Sequence, residues 1–321
     1  MLAEFDLIQE FFTTAAGEGV ALGVGDDATL LTPTSGQQLV VSVDTSVVGV
    51  HFPADAPAHT VGHRALAVAL SDLAAMGAQS RWCLMALALD QRTWNDTASG
   101  RAWMQAYSDG FLALCRQHYT GLVGGDITAG QLAISVTVMG EVASGQALTR
   151  HGARPGDIIA VTGALGGGAG GLALWQQGER DLEHPLLKRY LLPTPRLAAG
   201  QALTGLASAA LDISDGLLAD LGHLRRASGV GAELDAEAIP LTEGLQEALG
   251  LPGARQAALS GGDDYELLVS IPQHHWVEAC SALASLGVPL TAIGQCIDTP
   301  GVSGVMSESQ DGWQHFVGET P

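Results

Sequence analysis

The stretch LVVSVDTSVVGVHF, Leu39 to Phe52, followed by LAVALSDLAAMGA, Leu66 to Ala78, decides the fold class. Leu39 to Val43 is an apolar, β-branched run that predicts a strand ending at Asp44. From His59 to Met76 the apolar residues Leu66, Ala69, Leu70 and Leu73 recur at helical spacing, with Gly77 as the stop. Further along, Trp82 to Leu89 and Leu132 to Met139 read as strands, Ala98 to His118 as a long helix, and Leu122 to Gly125 as the approach to Gly124-Gly125-Asp126. Residues 3–16 predict an N-terminal amphipathic helix. Arg150 to Asp157 is polar, carries Pro and Gly, and reads as a domain connection. Beyond it come a strand over IIAVTG, the glycine-rich ALGGGAGGL, and helices over 170–177, 185–191, 217–227 and 274–286. Strand-like segments cover 207–213 and 265–271, and Pro193 and Pro195 break the chain. Strands and helices mix without a steady βαβ rhythm, which predicts two α+β domains, 1–149 and 150–321, and not one doubly wound parallel sheet.

The 321 residues are 47% hydrophobic and 15% charged, enough apolar material for two cores and unlike a disordered chain. Thirty-four acids against fourteen bases give a net charge of −20, which argues against nucleic acid as a partner, because phosphate backbones are held by Lys and Arg. No apolar run reaches the ~20 residues of a membrane span. The opening MLAEFDLIQEFF carries acids and no basic residue, unlike a secretory signal. Cys83, Cys115, Cys280 and Cys296 form no Cys-x-x-Cys pair, so the expectation is a reduced, cytoplasmic protein.

Five aspartate motifs recur, each beside glycine or another small residue. They are GVGDDA (23–28), SVDTS (42–46), SDLAAMGA (71–78), GGDIT (124–128) and DISDG (212–216). Most fall where an apolar run ends, a usual place for functional side chains. Carboxylates drawn together from several segments need a cation among them, and a hard, oxygen-binding one carried with phosphate is Mg²⁺. The local alternatives are a Gly-Asp turn for Asp26 and Asp27 and a helix N-cap for Ser71 or Asp72. TGALGGGAGGL contains a nominal G-x-G-x-x-G at Gly166 to Gly171 but no Walker Gly-Lys-Ser/Thr ending, and no acid follows at dinucleotide-fold spacing. Protein-kinase, nucleophile-elbow and zincin signatures are absent.

In order, GVGDDA, VDTSVVGVHF, ALAVALSDLAAMGA, GGDIT, LTRHGARPGD, PTPR, LDISDGLLADLGH and SGGDDYELL resemble the thiamine-monophosphate kinase family of the aminoimidazole-ribonucleotide synthetase superfamily, over nearly the whole chain. The resemblance implies an N-terminal domain with a mixed or antiparallel sheet packed with helices and a C-terminal α+β sandwich. It implies ATP-dependent, Mg²⁺-dependent phosphorylation of thiamine monophosphate to thiamine diphosphate, the last step of that biosynthesis. The transfer it implies is in line and direct, with no phosphoenzyme and no residue acting as acid or base.

The metal ligands carried over by motif are Asp27, Ser42, Asp44, Asp72, Asp126, Asp212 and Asp215. ATP contacts fall on Gly125, Asp126, Arg150 and Ser214, and thiamine-phosphate contacts on His51, Asp263 and Trp313. Asp263 stands where the family usually has Glu, and Val43 where many relatives have Thr. The resemblance also implies a homodimer formed through the N-terminal sheets, and a site that closes over the domain boundary. Two alternatives stand beside it: another ATP enzyme of the superfamily, and a non-catalytic acidic protein that binds Mg²⁺ or nucleotide. Selenophosphate synthetase fits poorly, because residues 1–30 lack Cys, and the hydrogenase-maturation relative ends in a cysteine whereas this chain ends VGETP.

Overall fold

Alternating apolar runs and helical stripes sort into two units in the computed structural model, which describes residues 4–13, 17–90 and 97–305. One unit comprises Met1–Leu73 and Ala78–Gly145, the other Ala74–Gly77 and Gln146–Pro321.

The first unit begins with a short helix α1 (Glu4–Leu7), which passes into a π-helical turn, Ile8–Phe12. The small strands β1 (Val20–Leu22) and β2 (Leu30–Leu31) pair antiparallel. The main sheet has the order β3-β6-β4-β5, built from β3 (Gln37–Val47), β4 (Gln79–Leu89), β5 (Gly121–Ala129) and β6 (Ala133–Ala143). β6 runs antiparallel to both β3 and β4, whereas β4 and β5 are parallel, so the sheet is mixed. Helix α2 (Ala58–Ala75) links β3 to β4, and α3 (Thr97–Gln117) links β4 to β5.

Leu66, Leu70 and Leu73 of α2 are fully buried, at roughly 1.5–3 kcal/mol of transfer free energy each. The two helices cross at glycines. A Cβ on Gly62 would lie 2.1 Å from the Tyr107 carbonyl oxygen, and one on Gly110 would lie 2.0 Å from that of His59. No larger residue fits that approach.

The second unit is built on a six-stranded sheet of order β12-β9-β11-β7-β10-β8. Its strands are β7 (Ile158–Thr162), β8 (Ala209–Asp212), β9 (Gly231–Leu234), β10 (Leu267–Ile271), β11 (Leu290–Ile297) and β12 (Val302–Ser303). All pairings are antiparallel except β12 with β9. Among the described residues six α-helices accompany it: α4 (Gly167–Gln176), α5 (Pro185–Leu191), α6 (Leu197–Leu203), α7 (Leu217–Ser228), α8 (Leu245–Ser260) and α9 (Trp276–Ser285). Ile159, Val161, Leu211, Leu268 and Ile293 of the sheet share one core with Leu217, Leu221 and Leu224 of α7 and Leu259 of α8. No helix among the described residues is long and apolar enough to cross a membrane.

The structure corrects several local expectations. The strand through Ser42 and Asp44 does not end at Asp44; Thr45, Ser46 and Val47 stay paired with Ser135, Ile134 and Ala133 of β6. Gly124-Gly125-Asp126 lies within β5 and not beyond a strand end. Asp72 and Ser71 lie near the C-terminal end of α2, so neither caps a helix N-terminus. The described part of the N-terminal helix ends at Phe12, before residue 16. Helix α8 escaped the pattern because Gly250 (φ +68°) and Pro252 kink it, and β11 because a register shift between Ala292 and Gly294 interrupts its alternation.

Candidate functional site

Strand β3 is inverted. Alternate residues of a strand face opposite sides, and the usual pattern turns apolar residues inward. Here Ser46 is buried and Ser42 and Asp44 are half-buried, while Leu39, Val41 and Val43 are 46%, 55% and 60% exposed. The inward polar side meets α2, where the Ser42 hydroxyl donates to Asp72 Oδ2 over 2.5 Å. Burial, and then the neighbouring Asp72 carboxylate, push Asp44 up to about 6. Two carboxylates and a hydroxyl thus come together from β3 and α2. At the end of β3, the Val47 amide donates to His51 Nδ1 over 3.0 Å, which places the proton of the neutral ring on Nε2. Arg64 Nε donates to the His51 carbonyl at 3.1 Å.

A cavity of about 740 Å³ in the same unit is lined by the loop from Gly23 to Thr29 and by Leu122 to Ile127 of β5. It brings Asp26, Asp27, Gly125 and Asp126 to one space. The Asp27 amide donates to Asp26 Oδ1 at 2.8 Å, so Asp26 folds back on the backbone. Gly125 (φ +152°) runs so close to β4 that a Cβ there would lie 1.9 Å from the Met85 carbonyl oxygen.

In the second unit, Asp212 ends β8 and the chain turns through Ser214, Asp215 and Gly216 into α7. The ladder between β8 and β10 continues past its formal end. Tyr265 N donates to the Ile213 carbonyl at 2.8 Å, and Asp263 N to the Ser214 carbonyl at 2.9 Å. Asp263 and Tyr265 hold positive φ (+69° and +50°), uncommon for residues other than glycine, and the Tyr265 hydroxyl donates to Asp263 Oδ1 at 2.9 Å. Arg150 sits at the start of the same unit, with its carbonyl accepting from the Ser228 hydroxyl at 2.9 Å. Trp313 lies outside the described residues.

The glycine-rich turn before α4 already holds a carboxyl group of the chain. Asp264 Oδ2 accepts from Gly166 N at 2.8 Å and Oδ1 from Gly168 N at 3.2 Å. Burial lifts Asp264 to about 7, although both amides pull it down. A helix N-terminus that could attract phosphate is therefore filled by a carboxylate of the chain, and the nominal G-x-G-x-x-G is structural.

Two supporting carboxylates were not singled out from sequence. Asp220 of α7 accepts from the amides of Ser214, Asp215 and Gly216 at 3.1, 3.1 and 3.2 Å, all on Oδ2. Glu266, with no exposed surface, accepts from Arg196 Nε (2.7 Å) and Nη2 (2.6 Å), Arg189 Nη2 (2.6 Å) and the Thr162 hydroxyl (2.7 Å). Burial pushes the Arg196 guanidinium down, but its bond to Glu266 and the charge of that carboxylate together outweigh this and hold it above its ordinary value. The signal was present in YELLVSI: an acid opening a largely apolar strand requires a buried cation, and PTPR supplies one.

Among the described residues, no three His, Cys, Asp or Glu side chains gather into a group that could hold a metal ion by themselves. The pair Asp44 and Asp72 with the Ser42 hydroxyl still suits Mg²⁺, which is commonly held by one or two carboxylates and completed by phosphate oxygens and water.

Residues 25–142 match the AIR synthase related protein, N-terminal domain, and residues 154–307 its C-terminal domain. The thiamine-monophosphate kinase of Salmonella typhimurium is 42% identical over 298 residues, 91% of this chain and 90% of that protein. The crystal structure of thiamine-monophosphate kinase from Stenotrophomonas maltophilia K279a is similar at a TM-score of 0.85 and 46% identity, covering 94% of this chain and 96% of that one. AaThiL complexed with AMPPCP and TMP is similar at a TM-score of 0.78 and 30% identity, covering 97% and 96%.

Proposed function

Because the chain belongs to the thiamine-monophosphate kinase family of AIR synthase related proteins, we propose that it transfers the γ-phosphoryl group of ATP to thiamine monophosphate, yielding thiamine diphosphate and ADP. One observation carries the reading. Ser214, assigned to ATP, and Asp263, assigned to thiamine monophosphate, are joined by a single backbone hydrogen bond of 2.9 Å. The two anionic reactants are thus referred to one rigid piece of backbone, and such positioning is most of what phosphoryl transfer asks of a protein.

The attacking phosphate oxygen is already anionic and needs no general base. What the reaction needs is charge neutralisation, and we assign it to Mg²⁺ held by Asp27, Ser42, Asp44, Asp72 and Asp126 of the N-terminal domain (1–149) and by Asp212 and Asp215 of the C-terminal domain (150–321). With Asp44 raised to about 6 beside Asp72, a divalent cation would relieve the repulsion and restore the ionised form. Gly125, Asp126, Arg150 and Ser214 are assigned to ATP. His51 Nε2–H is a donor suited to a phosphate oxygen of thiamine monophosphate, and Asp263 and Trp313 are assigned to the same substrate, the Trp313 ring as a surface for its cationic or pyrimidine ring.

The outward apolar row Leu39, Val41 and Val43 favours pairing with a second copy through this sheet, giving a homodimer. The four free cysteines suit the reducing cytoplasm.

The test is chromatography of products after incubation with ATP, Mg²⁺ and thiamine monophosphate. Thiamine diphosphate and ADP are expected in equal amounts. ADP formed with no thiamine diphosphate would move the chain to another ATP enzyme of the superfamily. Binding of Mg²⁺-ATP without turnover would make it a nucleotide-binding protein.

A further inference from the structure

Helix α7 makes hydrogen bonds at both ends to the backbone segments that carry assigned nucleotide contacts. At its first turn, Oδ2 of Asp220, 3% exposed, accepts the three consecutive amides of Ser214, Asp215 and Gly216. At its last residue, the Ser228 hydroxyl donates to the Arg150 carbonyl at 2.9 Å and accepts from Gly152 N and Ala153 N, both at 3.1 Å. Eight residues separate the two side chains, about 12 Å along a helix axis. The loop ahead of α7 has little room to relax in another way: Gly216 holds φ +116°, and a Cβ there would lie 2.8 Å from the Ser260 carbonyl carbon.

We propose that α7 is the positioning element of the nucleotide site, with Asp220 setting the backbone of Ser214 and Asp215 and Ser228 setting that of Arg150. This rests on the assignment of Ser214 and Arg150 to ATP. Neither Asp220 nor Ser228 is itself a ligand in this scheme. Each acts through the segment it holds, as outer-shell partners act on the ligands they orient. A single carboxylate oxygen receiving three successive amides fixes the direction of three peptide planes. The carbonyl of Ser214 is held in turn by Asp263 N, so the loop is fixed both by its amides and by a carbonyl.

The experiment compares Asp220→Asn, Asp220→Ala and Ser228→Ala with the wild type in three readouts: Mg²⁺-ADP binding by calorimetry, separate KM values for ATP and thiamine monophosphate, and amide hydrogen exchange at residues 214–216. For Asp220→Ala, nucleotide affinity is expected to fall about 10–100-fold. The KM for thiamine monophosphate should change by less than about threefold, as the Asp263 contact is retained. Asp220→Asn, which keeps one acceptor oxygen, should fall between that variant and the wild type, with faster exchange confined to 214–216. Ser228→Ala should weaken nucleotide binding about fivefold without changing exchange at 214–216.

Equal losses for both substrates, or unchanged nucleotide affinity in a folded Asp220→Ala protein, would overturn the proposal. If Asp220→Ala does not fold, the Asp220→Asn and Ser228→Ala variants decide it by the same split. Mg²⁺-ADP binding is read without thiamine monophosphate, so a protein that makes no thiamine diphosphate would refute the assigned reaction and still report on α7.

Discussion

Asp263 donates its amide to the carbonyl of Ser214 at 2.9 Å, while its own carboxylate is held by the Tyr265 hydroxyl at the same distance. The backbone of Asp263 is therefore tied to the loop we assign to ATP, while its side chain is the part we assign to thiamine monophosphate. Asp263→Ala should raise the KM for thiamine monophosphate by roughly 10–100-fold, the worth of a hydrogen bond to a charged group, and leave the KM for ATP nearly unchanged. Steady-state kinetics with each substrate varied in turn checks this.

Gly168 tests the same position from a distance. A Cβ at Gly168 would lie 2.4 Å from the Asp263 carbonyl oxygen and 2.6 Å from its Cβ. Gly168→Ala must displace Asp263, and small displacements of positioning groups are costly. The variant should fold and lose about tenfold or more in kcat/KM for thiamine monophosphate. Nucleotide binding should weaken as well, because the displaced Asp263 backbone is bonded to Ser214.

Asp44 makes the metal-free protein pH-dependent in a definite direction. Its carboxyl, 3.8 in the unfolded reference, is pushed up to about 6 by burial and by Asp72. The folded state therefore binds the proton more tightly. The stabilisation is fully present below pH 4 and is lost as pH rises through about 6. This contribution should lower the melting temperature of chelator-treated protein between pH 5 and pH 7. Asp44→Asn should flatten that slope, and Mg²⁺ should restore stability to the wild type above pH 6 but not to the variant.

Glu266 is the electrostatic centre of the second unit, with Arg189, Arg196 and Thr162 all bonded to it. Glu266→Gln leaves two partly buried guanidinium groups without their counter-charge. The expected cost is about 3–5 kcal/mol in denaturant unfolding, the range for breaking a buried ion pair. An unchanged midpoint would show that solvent screens the arginines.

The legible parts of this chain were those where one pattern repeats long enough. The apolar stripe of α2 and the glycine stop at Gly77 emerged directly, because burial of Leu66, Leu70 and Leu73 imposes helical spacing. The aspartate motifs were visible as motifs, yet their placement was not. Asp44 lies in mid-strand because pairing with β6 continues to Val47, and main-chain pairing leaves no mark on side-chain pattern. The inversion of β3, apolar outward and polar inward, cannot be read without knowing which face is covered. The capping of Gly166 and Gly168 by Asp264 joins segments almost a hundred residues apart, and no local signal announces such a contact.

The central claim is direct transfer between two bound phosphates, and a single-turnover reaction with [γ-³²P]ATP, Mg²⁺ and thiamine monophosphate tests it most directly. Label should pass one for one into thiamine diphosphate, none should be retained on the protein, and Asp126→Asn should abolish the transfer while remaining folded. Label trapped on the protein, or released as inorganic phosphate with no thiamine diphosphate formed, would contradict the account.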